Sequence, residues 1–315
     1  MKILVTGAAG FIGSHLCEKL LSVQENIVIG VDTFIGPTPD KLKQINVQKL
    51  INHPRFHLVE ADLMTADLHN ILQDIDIIYH LAGMPGVRSS WGNEFKPYVT
   101  NNILVTQRLL EVVKDMPIKK FIYASTSSVY GEKTGKVSEN AYLTPLSPYG
   151  ITKLTGEHLC NVYLKTHHVP VISVRFFTVY GPRQRPDMAF HRFILQILQN
   201  QPLTIFGDGT QSRDFTYISD CVDGLFNLSY RDNAIGETFN FGGKERASVN
   251  EVIEILEHIT GKKASYSFSQ QVNGEPKHTW ADISKAEKFL NYHPNVSLQQ
   301  GLTNEVEYIK FVYNL

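Results

Sequence analysis

The chain is poor in the residues that staple or anchor a protein. It has three cysteines in 315 residues, Cys17, Cys160 and Cys221, scattered and without a CxxC pair. An odd, dispersed set of thiols argues against a disulfide framework and a structural zinc site, so three buried free thiols and no metal are expected. Charge of one sign is lacking in excess as well: 30 Lys and Arg stand against 31 Asp and Glu, a formal net charge of −1. That balance excludes broad electrostatic capture of nucleic acid, and a small polar ligand fits better. Ahead of the first apolar burst there is no long apolar run, basic n-region or cleavage site. Neither a membrane span nor a secretory leader is expected, and the cytoplasm is the expected compartment. Internal repeats and low-complexity segments are missing too.

What is present is core, with 43% hydrophobic residues and length enough for one large domain and a smaller companion. Apolar bursts alternate with helix-period stretches through the first half: KILVTG, IVIGVD, FHLVEAD, IDIIYHLAG, FIYASTSSVYG and VISVRFF. Such bursts read as buried parallel strands, and the stretches between them, with Ile12, Leu16 and Leu20 on one face, as crossover helices. The expected fold is α/β, a Rossmann-type doubly wound parallel sheet with ligands beyond the carboxyl ends of its strands. From about Tyr180 the pattern changes to Gly/Pro-rich turns (GPRQRP, FGDGTQS, FGGKE) and shorter elements, a smaller α+β lobe. DFTYISDCVDGLFNLSY reads as strand then helix, a brief return to the first domain. The expected division is 1–175 plus about 217–241 for the cofactor domain, and 176–216 with 242–315 for the substrate lobe.

Gly7-Ala-Ala-Gly10-Phe11-Ile12-Gly13 lies between a strand and an amphipathic helix. There the glycines permit a tight turn and close backbone approach, and the helix N-terminus offers free N–H groups to a pyrophosphate. Asp32 closes the second strand about 20 residues further on, where a carboxylate accepts from ribose hydroxyls and repels a 2′-phosphate. The next basic residue is Lys41, which favours NAD over NADP. Asp62 and Leu63 after the third strand are placed near the adenine edge. Leu81, Ala82 and Gly83 after the fourth offer a small-residue floor beside the cofactor.

In Ser147-Pro148-Tyr149-Gly150-Ile151-Thr152-Lys153, Ser147 reads as an N-cap and Pro148 as the first helical residue, which sets Tyr149 and Lys153 one turn apart on one face. Tyr serves as a base only as phenolate, and with a reference pKa of about 10 this needs roughly 4 kcal/mol of help near neutrality. A neighbouring ammonium and a positive nicotinamide ring favour the anion. YxxxK alone is a pattern that many surface helices match. Its weight comes from the fifth strand, which ends in Thr126-Ser127-Ser128 and brings hydroxyls beside the tyrosine.

Together the GAAGFIG loop, the acidic strand end, YASTSSVYG and SPYGITK resemble the extended short-chain dehydrogenase/reductase family, in its nucleotide-sugar epimerase/dehydratase branch. The similarity continues through RFFTVYGPRQRPDM, GDGTQSRDFTYISD and WADISKA, nearly the whole chain. It implies Tyr149 as base, Lys153 as the residue that lowers its pKa and holds the ribose, and Thr126 as hydroxyl partner. It also implies Asn102 on the cofactor side, with Asn101 adjacent and the register open, and a homodimer through a four-helix contact.

The branch's dehydratases carry an Asp-Glu pair after the catalytic Thr, and its decarboxylases a Glu two positions on. Here those positions are Ser127 and Ser128. The resemblance therefore implies 4-epimerisation: oxidation, rotation of the keto-sugar and hydride return, with NAD unchanged overall. The RPDM stretch is more similar to UDP-glucuronate than to UDP-galactose 4-epimerases, so a UDP-sugar carrying a carboxylate is the expected substrate. Arg185 is the residue to grip that carboxylate with both oxygens, and Thr178 stands at the family's Asn position near the sugar. Arg192 and Arg213 are expected at the diphosphate, Phe206 and Gln211 near the uracil, and Arg88 toward the sugar. At the family's other diphosphate position the chain reads Gly274-Glu275-Pro276-Lys277, without an arginine. The rival readings are a neutral-sugar epimerase acting on UDP-glucose, a UDP-glucuronate decarboxylase and a non-catalytic NAD-binding regulator.

Overall fold

A computed structural model describes residues 1–270 and 274–315. Six of the apolar bursts form strands, β1 (Lys2–Thr6), β2 (Ile27–Asp32), β3 (Phe56–Glu60), β4 (Ile77–His80), β5 (Lys120–Thr126) and β6 (Val171–Phe176). All are parallel, in the order β3-β2-β1-β4-β5-β6. That order makes the sheet doubly wound, with its switch point between β1 and β4, where the crevice beyond the strand ends opens. Side chains of a strand alternate across the sheet, so Ile3 and Val5 enter one core and Leu4 the other, each 0% exposed. Helices α1 (Phe11–Leu21) and α2 (Asp40–Ile51) supply Leu16, Leu20, Val47 and Leu50 to the first core. The short α3 (Leu68–Ile71) sits over the second.

The crossover from β4 to β5 is one continuous helical run. It begins as α4 (Phe95–Tyr98), passes through a π-helical segment at Val99–Leu104 and ends as α5 (Val105–Val113). A π turn adds a residue to the helical repeat and is commonly retained where a side chain must be re-aimed; Asn102 lies inside this one. Next comes α6 (Pro148–His167), 20 residues long.

The smaller lobe is built on β7 (Thr178–Tyr180), α7 (Ala189–Leu198), β8 (Leu203–Phe206) and β9 (Ser212–Tyr217). Helix α8 (Ile218–Leu228) packs on α1, and β10 (Thr238–Phe241) adds to the main sheet beside β6. The strand of DFTYISDCVDGLFNLSY, read as a return to the first domain, belongs instead to a three-stranded sheet, between β7 and β11 (Glu245–Ser248). Only the helix of that stretch rejoins the large sheet, whose seventh strand is Thr238-Phe-Asn-Phe241, part of which read as a turn. A four-residue strand with fully buried Phe239 and Phe241 is too short for periodicity to reveal. The chain closes with α9 (Val249–Thr260), β12 (Tyr266–Ser269) paired to β8, α10 (Ser284–Leu290) and α11 (Leu298–Tyr313). Ser248 and Glu251 form a capping box at α9, and no described helix is long and apolar enough to cross a membrane.

Candidate active site

The glycine loop is defined by what no side chain can enter. Gly7 has φ +72°, and a Cβ on Gly13 would stand 2.1 Å from the Gly7 carbonyl oxygen. The third glycine therefore sets how closely α1 approaches the strand, while Gly10 as N-cap brings no side-chain cap to α1. With Phe11 and Ile12 opening the helix, its first N–H groups are left to a ligand, as a pyrophosphate site requires. Asp32 is 6% exposed; its carboxylate accepts from Ala9 N at 3.0 Å and Phe34 N at 2.8 Å. It also receives Lys43 Nζ at 2.8 Å. Sequence spacing missed Lys43, because a basic residue on the following helix reaches back one turn further than the linear gap suggests. Beside it the buried Asn46 donates to Ala9 O, and its Oδ1 has no partner among the described residues. An orphaned acceptor in this cradle, with the excluded Cβ positions, fits the adenosine end of a dinucleotide. Asp62 is exposed and bonds Met64 N of its own turn, whereas Leu63 is buried.

The opposite side of the crevice rests on a chain of hydrogen bonds that fixes one histidine tautomer. Thr106 Oγ1 donates to Asn102 O at 2.8 Å, so it accepts from His80 Nε2 at 3.0 Å. His80 Nδ1 must then accept from Thr6 Oγ1 at 2.9 Å, which itself accepts from Ala82 N at 3.0 Å. Burial, aided by the nearby Lys153 charge, pulls the His80 pKa down to about 3, and the ring stays neutral. The floor Leu81, Ala82 and Gly83 is thereby tied to the π turn. Asn102 is 1% exposed and clamps Met84 through N–H···Oδ1 at 2.7 Å and Nδ2–H···O at 3.0 Å. It also donates to Thr152 Oγ1 at 3.0 Å, while Asn101 only bonds back to Pro97 O. The register left open by the sequence falls to Asn102. A Cβ on Gly83 would lie 2.9 Å from Asn102 Oδ1 and 3.9 Å from Lys153 Nζ, so a larger residue in this floor would have to displace the Asn102 side chain.

Ser147 caps α6, accepting from Gly150 N at 3.1 Å, with Pro148 at the first position. Tyr149 packs edge-on against Tyr98, centroids 6.2 Å apart. Lys153 lies 4.4 Å over the Tyr123 ring. Burial raises the Tyr149 pKa, and the Thr126 hydroxyl and Arg185 guanidinium counteract it. Lys153 is itself pulled down to about 8 by burial. Beside Lys153, one turn on, the Thr126 hydroxyl and the Arg185 guanidinium thus favour the phenolate. Thr126 ends β5 as the N-cap of a short turn, accepting from Ser128 N at 3.2 Å and donating to Ser128 Oγ at 3.2 Å. Ser127 and Ser128 are half-buried beside it.

Behind this pair lies a network that no motif announced. Glu157, one turn beyond Lys153, receives Arg175 through Nε at 2.9 Å and Nη2 at 2.7 Å, and the Ser125 hydroxyl as well. Arg175 also donates to Tyr130 OH at 2.9 Å, and Tyr130 to Asn240 Oδ1 at 2.6 Å.

Of the residues expected to face a substrate, four meet in one place. Arg88, Phe206, Gln211, Arg213, Glu275 and Lys277 line one pocket. In it Arg88 stacks 4.3 Å over Phe206, and Glu275 bridges Arg88 at 2.7 Å and Arg213 at 3.3 Å. The stretch without an arginine thus holds a carboxylate between the two arginines. Arg192, in the first turn of α7, lies within the field of Arg88 and Asp187. Arg185 acts on Tyr149 and Tyr98 alike, and Thr178 begins β7. No group of three or more potential metal-ligating side chains occurs among the described residues.

Residues 3–242 match the model of the NAD dependent epimerase/dehydratase family. The chain is 60% identical over 313 residues to an uncharacterized UDP-glucose epimerase, YtcB, of Bacillus subtilis, covering 99% of both. It is 41% identical over 315 residues to a UDP-glucuronate 4-epimerase of Thermodesulfobacterium geofontis, covering 98% of this chain and 95% of that one. The crystal structure of UDP-glucuronic acid 4-epimerase from Bacillus cereus in complex with UDP-glucuronic acid and NAD superposes with a TM-score of 0.99. Identity there is 60%, over 99% of this chain and 100% of that chain.

Proposed function

The chain belongs to the NAD dependent epimerase/dehydratase family, and from that premise we propose that it is an NAD-dependent UDP-glucuronate 4-epimerase. One observation carries the choice of reaction. The positions after Thr126 hold Ser127 and Ser128, where hydroxyls can orient a sugar but cannot supply the carboxyl proton that elimination needs.

The glycine loop and Asp32 hold the pyrophosphate and adenosine ribose of NAD, and Lys153 the nicotinamide ribose. When bound, NAD would supply a reversible hydride acceptor for oxidation of the sugar's 4-hydroxyl. Tyr149 takes the 4-hydroxyl proton and returns it on the way back; Thr126 hydrogen-bonds the same oxygen. Conversion requires the keto-sugar to turn over between the two hydride transfers. The keto-uronate is a β-keto acid, which loses CO2 when its carboxylate bond stands perpendicular to the ketone plane. Arg185 and the hydroxyls of Thr126, Ser127 and Ser128 restrain that torsion as well as bind. Arg192 and Arg213 take the diphosphate, Arg88 reaches toward the sugar, and Phe206 with Gln211 takes the uracil. Glu275 yields the two arginines it bridges.

The lobes divide as the sequence suggests, 1–175 with about 217–241 for NAD and the remainder for the nucleotide sugar. A homodimer is supported by Leu104, Ile151 and Val162, each 45–54% exposed on or beside α5 and α6. Three buried, unpaired cysteines support a reducing compartment, the cytoplasm.

The test is incubation of the purified protein with UDP-glucuronate and no added NAD, followed by NMR of the sugar protons. UDP-galacturonate is the expected product. Pentose nucleotide would identify a decarboxylase, turnover of UDP-glucose alone a neutral-sugar epimerase, and no turnover even with NAD a regulator.

A further inference from the structure

The loop that carries Arg185 is held rigidly from behind. Gln184 is 3% exposed, donates to Val179 O at 3.1 Å and accepts from His191 N at 3.2 Å. The buried His191 ring meets Gln184 O at 3.0 Å on one side and Tyr313 OH at 3.1 Å on the other. Met188 N closes a turn onto Arg185 O at 3.0 Å. With the backbone so fixed, what remains free is the rotamer of the long Arg185 side chain.

Asp187 removes that freedom. Its two oxygens take Arg185 Nε at 3.0 Å and Nη2 at 2.9 Å, a bidentate side-on pair. Of the five guanidinium N–H groups this edge uses two, and Nη2 also touches Met188 Sδ at 3.5 Å, a weak and easily exchanged acceptor. Nη1 hydrogen-bonds none of the described residues. An Arg fork has two faces that match a carboxylate; here the side face is filled from within and the end face is open. Burial would raise the Asp187 pKa, but the Arg185 hydrogen bonds and charge hold it below the usual carboxylate range, so the pair persists as ions.

We infer that Asp187 is a positioning residue for substrate selection: it grips Arg185 by the Nε–Nη2 edge and so presents the other end of the fork to the carboxylate of a uronic acid sugar. This rests on the uronate reading above. A neutral hexose has a hydroxymethyl group where the carboxylate would be, which cannot accept two parallel N–H bonds, so its binding is insensitive to the pair.

The experiment is calorimetric titration of the holoprotein with UDP-glucuronate and, separately, UDP-glucose, in wild type, D187N, R185A and the double variant. Wild type should prefer the uronate. D187N should weaken UDP-glucuronate binding by about tenfold, leave UDP-glucose binding unchanged and add nothing in the R185A background. Should D187N not fold, Asp187→Glu, which keeps the charge but displaces it by one methylene, should lose part of the uronate preference by the same signature. Full retention of uronate affinity, a parallel loss for UDP-glucose, or an additive effect on R185A would each overturn the inference while leaving the uronate reading standing. Equal binding of both sugars by wild type would overturn that reading, and this inference with it.

Discussion

At the scale of single residues, the base of this site is a phenol in an unhelpful place. Burial raises the Tyr149 pKa, and Thr126 and Arg185 pull it back. The acid limb of the pH–rate profile reports the base in its working protonation state. Removing a group that lowers the pKa must move that limb upward. Thr126→Val should therefore shift the acid limb of kcat to higher pH and cost on the order of 100-fold in kcat at neutrality. Part of the loss should be regained in alkaline buffer. An unshifted limb, measured with UDP-glucuronate, would mean that Thr126 does not act on the phenol. Tyr149, Lys153 and Thr126 could be singled out from the sequence because a helix cap and a strand end each have local signatures. Lys43, Asp187 and Glu275 could not: each acts by reaching back to another charged side chain, and the rotamer of a long side chain leaves no periodic trace. The reach of Asn102 rather than Asn101 depends on a π turn, which shifts the helical register by one residue without marking the composition.

At the scale of elements, the catalytic helix and catalytic strand are joined by a buried carboxylate. Glu157 on α6 takes Ser125 from β5 and Arg175 from β6, and so fixes Lys153 and Tyr149 relative to Thr126. Its side chain is 9% and that of Arg175 6% exposed. A buried ion pair is no great source of stability in itself, but breaking one leaves an uncompensated charge, at about 3–5 kcal/mol. Glu157→Gln should accordingly destabilise the fold by a few kcal/mol in urea unfolding, and Glu157→Gln with Arg175→Met should recover most of that stability. The double variant should still turn over more slowly than wild type, because Ser125 has lost its partner and the helix its anchor. Equal stability of the single and double variants would show that Arg175 tolerates isolation. The six parallel strands could be read from their apolar bursts because strands buried on both faces are continuous runs. The seventh, Thr238–Phe241, and the sheet that claims Ser212–Tyr217 are set by tertiary pairing, which a four- or six-residue window does not encode.

At the scale of the whole molecule, one buried carboxyl ties the last helix to the loop that leads from β7 to Arg185. Glu305 on α11 is fully buried; Oε2 accepts from Gly181 N at 3.0 Å, and Oε1 has no partner among the described residues. The two residues are 124 positions apart, a distance over which sequence patterning says nothing. Burial raises the Glu305 pKa well above the usual carboxylate range, and the Gly181 amide only partly offsets it. The folded chain therefore holds this proton to higher pH than the unfolded chain, which loses it above about pH 4.5. Below that, both states are protonated and the stabilising contribution is complete. Above it the folded state binds the extra proton, so stability falls by about 1.4 kcal/mol per pH unit until the folded carboxyl itself ionises. Asp214, also raised by burial but only to about 6, contributes its own loss in a lower window. As pH rises above the range in which the unfolded carboxyl ionises, wild type should lose more of its urea-unfolding free energy than Glu305→Gln does. Parallel pH dependences would mean that Glu305 is ionised in the folded chain, and that its Oε1 has found water or a cation.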